Sequence, residues 1–117
     1  MDINSIDNCI SGSHYNISLY IFEKIKNKHK YNSDNNEWFY LNNNNEWIID
    51  NKLNNLIIEI KSKIVNDFIL RSIYLNDIKN NNNDDNVFKS NKLLEIANKL
   101  KNDKFIKDII KEIKQFY

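Results

Sequence analysis

The chain has 117 residues and a formal net charge of +1, with no Pro, one Gly and one Cys. Asn, Ile and Lys occur 24, 20 and 16 times, and because both leading bases of their codons are A or T, the excess records an AT-rich genome. A 41% hydrophobic share with 12% aromatic residues excludes a chain that stays unfolded, no run approaches the roughly 18 uncharged apolar residues of a membrane span, and a lone Cys9 excludes an internal disulfide.

The opening MDINSIDN carries neither the basic nor the apolar region of a secretory leader, so the expectation is a soluble intracellular protein with no membrane partner. Charge is unevenly spread. Residues 1–86 carry 9 basic and 12 acidic groups, whereas 87–117 carry 8 and 4, a −3 body with a +4 tail.

Taken in chain order, residues 1–12 read as a loose polar arm ending in Ser11-Gly12-Ser13, and 13–117 as one domain. Ser13 can cap a helix from His14 to about Lys28, in which Ile17, Tyr20, Ile21 and Ile25 recur at helical spacing. Short aromatic and β-branched runs then alternate with polar separators: Lys30-Tyr31, Glu37-Trp38-Phe39-Tyr40-Leu41 and Glu46-Trp47-Ile48-Ile49-Asp50. Asn tolerates left-handed backbone, so the Asn-rich separators predict turns of an antiparallel hairpin or meander over about 30–50. Strand alternation places Trp38 and Tyr40 on one face and Phe39 and Leu41 on the other.

A long central helix is predicted over about 52–78, apolar in two adjoining stripes: Leu53, Leu56, Ile57, Ile60, Ile64 and Phe68, then Ile58, Val65, Ile69 and Ile73. That girth predicts burial against the sheet on one side and helices on the other. An Asn-rich loop at 80–86 follows, then helices over about Lys89 to Leu100 and Asp103 to Phe116, with Asn102 or Asp103 as the cap between them. The fold class is α+β, mainly α: about four helices with a small antiparallel β-hairpin or meander inserted after the first.

Catalytic chemistry finds little footing. Cys9, His14 and His29 are separated by five and fifteen residues and match no zinc pattern, so no metal is expected; His14 reads as a helix-start residue and His29 as a solvated one near a helix end. With Gly12 alone there is no phosphate-cradling Walker loop and no Gly-flanked nucleophile turn, and no cofactor is expected. Asp50, Glu59, Asp84 and Asp85 qualify as acid/base groups only if two meet in space; otherwise they are surface charges. The chain is expected not to be an enzyme.

Binding residues are more visible. Trp38, Tyr40 and Trp47 on a sheet can stack bases; the opposing reading packs both Trp residues against the central helix, and Glu37, Glu46 and Asp50 beside them would repel phosphate. In the last helix Lys104, Lys107, Lys111 and Lys114 fall within one arc of about 80°, opposite Phe105, Ile106, Ile109 and Ile113, which makes either a nucleic-acid contact or a solvated face.

The succession SHYNISLYIFEKIKNKHKY, NNEWFYLNNNNEWIID, LNNLIIEIKSKIVNDFI and KLLEIANKLKNDKFIKDIIKEIKQFY resembles the domain that precedes the superfamily 3 helicase in poxvirus and giant-virus DNA primase-helicases, over almost the whole chain from about Ser13. Its most telling parts are Trp38-Phe39-Tyr40 with Trp47, and the closing lysine-rich helices ending in Phe116-Tyr117. The resemblance implies a non-catalytic accessory module in DNA replication that couples, orients or oligomerises the helicase. Its implied partners are primase and superfamily 3 helicase domains, single-stranded or forked DNA touched by the named Lys and Trp residues, and a second copy of the chain. A viral source, with the host cytoplasm or viral factory as location, is implied as well. Because the chain has neither a Walker loop nor a primase carboxylate motif, it is expected to be a fragment, a split gene product or a stand-alone relative. Asn43-Asn44-Asn45 stands where the family often has Gly or a basic residue. The other reading is a structural or protein-protein interaction domain whose aromatics are all core.

Overall fold

Ile6 and Cys9 are fully buried, and between them Asp7 receives two hydrogen bonds from the Arg71 guanidinium, at 3.0 Å from Nε and 2.9 Å from Nη2. The computed structural model describes residues 6–77 and 84–117. From Ile6 onward the N-terminal segment is therefore packed, in contrast to the loose arm expected for 1–12. Ile6, just ahead of a short 3-10 turn, Asn8–Ser11, and Cys9 within it supply the anchor that the segment's polar composition hides. Gly12 closes that turn at φ 76°, a left-handed conformation glycine adopts without steric cost.

Helix α1, His14–Ile25, starts where Ser13 Oγ accepts the Asn16 N–H at 3.1 Å, and it buries Ile17, Tyr20, Ile21 and Ile25 as their spacing predicts. Tyr20 stands edge-on to Phe68 at 5.4 Å and donates its hydroxyl to Asp67 Oδ2 at 2.8 Å, so an aromatic in the core keeps its polar end satisfied.

Strands β1 (His29–Asn32), β2 (Glu37–Leu41) and β3 (Trp47–Ile49) form an antiparallel sheet in the order β1-β2-β3. Asn supplies the turns: Asn36 and Asn45 take φ of 53° and 61°, and Asn42 Oδ1 accepts the N–H groups of Asn44 and Glu46, both at 2.9 Å. The register pairs Lys30 with Phe39, Phe39 with Ile49, and Leu41 with Trp47. The alternation inferred from sequence follows, with His29, Tyr31, Trp38 and Tyr40 on the inner face.

Helix α2 runs through an α segment Asn54–Glu59, a π turn Ile60–Ile64 and a second α segment Val65–Asn76. Leu56, Ile60, Ile64, Phe68 and Ser72 are all buried and recur every four residues. An α-helix advances about 100° per residue, so that spacing drifts by about 40° at each step; the wider π turn absorbs the surplus and returns Phe68 to the core. The helix is not buried around its girth. Ile58 and Ile73 of the second stripe are 64% and 52% exposed, with Leu70 and Tyr74.

Helix α3, Asp84–Lys99, begins earlier than the expected Lys89, and Asp84 and Asp85 in its first turn favour the helix N-terminus electrostatically. Most of the Asn-rich loop expected at 80–86 lies outside the described residues. α3 packs along the second half of α2. There the buried Ser72 and Ser90 hydroxyls lie 2.8 Å apart, each 2.9 Å from the other residue's backbone carbonyl. Helix α4, Asp103–Ile113, is capped by Asn102 Oδ1, which accepts the Phe105 N–H at 3.1 Å, and gives way to a 3-10 turn, Lys114–Phe116. α4 packs on α1, burying Ile106, Ile109, Ile110 and Ile113. The described residues form a mainly helical α+β fold with four helices and one small sheet. No helix among the described residues is long and apolar enough to cross a membrane.

The Asp7–Arg71 pair is half-shielded from water and bidentate, so Arg71→Ala is expected to lower the unfolding free energy by about 1.5–3 kcal/mol. Urea denaturation followed by circular dichroism measures it. Arg71→Lys recovers only part of the loss, because an ammonium cannot span both carboxylate oxygens.

Candidate nucleic-acid interface

Asp50, at the exit of β3, bonds in two directions. Its N–H donates to the Trp38 carbonyl at 2.8 Å, extending the sheet by one rung. Its buried carboxylate accepts the Asn55 and Leu56 N–H groups at 2.9 Å each, and the Asn55 side-chain amide at 3.3 Å. Asp50 thus caps α2 from a distance. The chain between is forced through Lys52 and Leu53 at φ 56° and 62°, a left-handed conformation that costs a side-chain-bearing residue about 1–2 kcal/mol. This crank holds Lys52 exposed beside the sheet. Asp50 is a structural cap; the acid/base reading has no support in its contacts.

The crank, the β2–β3 edge and α4 enclose a groove of about 490 Å³. Trp38 and Ile110 are its buried apolar lining; Lys52 comes to it from the crank, and Lys107, Lys111 and Lys114 from α4 and the turn that follows it. Glu37 and Asp50 also line it, but the Asp50 carboxylate is already committed to three N–H donors, which leaves the lysines dominant. Lys52, Lys107 and Lys111 are exposed. Lys114 is half-buried: its Nζ lies 4.9 Å from the centre of the Tyr31 ring and 3.2 Å from Asn36 Oδ1, which also accepts the Tyr31 hydroxyl at 2.6 Å. Lys104 is exposed on α4 but does not line the groove.

The two tryptophans part company. Trp38 is 5% exposed, packed between Tyr31 at 5.2 Å and Tyr117 at 5.4 Å, so it offers no face to a base, contrary to the stacking role considered for it. Its indole Nε1–H is buried without a hydrogen-bond acceptor among the described residues. Trp47 is 38% exposed on the outer face, with Lys30 Nζ 4.5 Å from its ring centre, contrary to the expectation that both Trp residues pack against the central helix. Cover for Trp38 comes from the C-terminal turn, where Tyr117 also donates its hydroxyl to the His29 carbonyl at 2.7 Å.

His29 is buried on β1 instead of solvated, 3.9 Å through Nε2 from Glu59 Oε1, and its Nδ1 has no hydrogen-bond partner among the described residues. Burial lowers its pKa below the ordinary 6.5, against the opposing pull of Glu59 and Asp50. Cys9 is likewise buried, which pushes its thiol pKa up to about 12 and makes it a poor nucleophile and metal ligand. His14 opens α1 as expected, edge-on to Phe105 at 5.3 Å. Among the described residues no three His, Cys, Asp or Glu side chains gather into a metal site. Lys52 and Lys30 escaped the sequence reading. An acidic residue three positions ahead of the Leu53–Leu56 helical run pointed to the first, and the hairpin register opposite Phe39 to the second.

Asp50→Ala strips the cap from α2, with an expected loss of about 1–3 kcal/mol in urea unfolding, while Asp50→Asn keeps part of it. His29 stays neutral in the fold at a pH where the unfolded chain takes up its proton. Stability is therefore full above about pH 6.5 and falls as pH drops through and below that value. In His29→Gln this segment of the stability-pH curve flattens. Compared with known proteins, the chain matches no family model and no curated sequence, so the chemistry of the groove is read from its own residues.

Proposed function

We propose that the chain is a non-catalytic module that holds the phosphate backbone of nucleic acid in the groove between the sheet edge and α4. In the setting implied by its primase-helicase resemblance, it couples or orients the helicase on DNA. One observation carries this reading: Lys52, Lys107, Lys111 and Lys114 converge on a single concavity. Like charges brought together raise one another's energy, and a concave wall focuses their field, so a polyanion is the complementary occupant. The buried lining of Trp38 and Ile110 gives those cations a rigid backing.

A second reading, a protein-protein interaction domain, draws on Leu70, Ile73 and Tyr74, which α2 leaves 50–59% exposed. Fluorescence anisotropy of labelled oligonucleotides against salt separates the two. A backbone-binding groove gives a steep loss of affinity with salt, and each phosphate contact removed flattens the slope by about 0.7–0.9. Lys52→Ala/Lys107→Ala/Lys111→Ala is expected to lower both affinity and slope. Equal binding by wild type and the triple variant would remove the groove from consideration, and an interaction domain leaves the anisotropy unchanged.

A further inference from the structure

We infer that the strand held by this groove is single-stranded and that its bases stack on the outer face of the sheet. The inference rests on the groove reading and adds the class of ligand. Strand alternation with the observed register brings Lys30, Phe39, Leu41, Trp47 and Ile49 onto that outer face. Trp47 and Ile49 are 38% and 49% exposed there. Ile49 belongs to both regions: it lines the groove, and it stands two residues from Trp47 on the same face, about 7 Å along the strand. A cationic groove and an aromatic face are therefore continuous.

A duplex keeps its bases stacked inside and can use only the lysines. A single strand exposes π faces as well as phosphates and fits both halves of the surface. Lys30 Nζ lies 4.5 Å from the centre of the Trp47 ring and 5.7 Å from that of Phe39, covering the place a base would take; displaced by a base, the ammonium is within side-chain reach of the adjoining phosphate. Glu37, on the same face and at the groove, disfavours phosphate over the sheet, which leaves that face to bases and the α4 side to the backbone. Single-stranded DNA and RNA share this chemistry.

The test uses the full chain with oligodeoxythymidylate, oligouridylate and a DNA duplex of equal length, followed by anisotropy and tryptophan fluorescence. Tighter binding of a single strand than of duplex, with quenching of Trp47, is expected, and the preferred polymer identifies the source. Trp47→Ala is expected to lose roughly 5- to 150-fold in single-strand affinity while duplex affinity and the salt slope stay as in wild type. Trp47→Phe keeps a ring, so it retains most of the affinity while the quench disappears. Single-strand binding by Trp47→Ala equal to wild type, or a preference for duplex, overturns the stacking inference and leaves the groove standing. Loss of the groove reading is recognised separately, by binding of either polymer that ignores Lys52, Lys107 and Lys111.

Discussion

A buried carboxylate governs how the two halves of this fold meet. Asp50 is 5% exposed, and an ion in such a place is tolerated only if its oxygens are fully hydrogen-bonded. The first-turn N–H groups of α2 meet that demand, and they are themselves donors that a helix start leaves unpaired. Since the Asp50 N–H is also fixed to Trp38, one residue determines where the sheet stops, where α2 begins and which way Lys52 faces. The left-handed backbone of Lys52 and Leu53 is the local cost of satisfying both bonds within so short a connection.

The opposite wall of the groove depends on aromatic packing. Phe22 meets Phe116 at 5.4 Å and Tyr117 at 5.0 Å, and Tyr117 in turn meets Trp38. This chain of rings ties α1, the sheet and the C-terminal turn together, so α4 is held at both ends, by its isoleucines on α1 and by its following turn on the sheet. The lysines of α4 thereby acquire a fixed direction relative to Lys52. A helix carrying the same charges without that anchorage would offer them to solvent on all sides.

Much of the architecture was legible because it rests on local rules. Ser13 and Asn102 sit one residue before helical runs and cap them, the Asn separators bend into turns, and the isoleucines of α1 and α4 repeat at helical period. What escaped depends on tertiary pairing. Ile6 and Cys9 lie in a polar segment, yet both are buried in the core, and between them Asp7 is held by Arg71, far along the chain. Trp38 and Trp47 are alike in sequence, yet strand alternation sends one inward and the other outward. At the candidate site, periodicity brought out the α4 lysines and the hairpin aromatics, whereas Lys52 acquires its place from the backbone crank that the Asp50 cap imposes, and Lys104, about 10 Å from Lys111 along the axis of α4, does not line the groove. The second stripe of α2 misled in part because periodicity reports a surface that could be buried: Val65 is buried, while Ile58 and Ile73 are left exposed among the described residues.

The π turn at Ile60–Ile64 also constrains how this helix can vary. A π turn accommodates one residue more than a regular helix would, so the segment is in effect an insertion that the fold has absorbed. Winding the same residues as regular α-helix would turn the second half of α2 by about 100° relative to the first. Phe68, Ser72 and Leu75 would swing off the core and the Ser72–Ser90 contact with α3 would part. The irregular turn keeps the two halves of α2 in phase, and a one-residue deletion within it would leave them so, whereas the same deletion in either regular half would not.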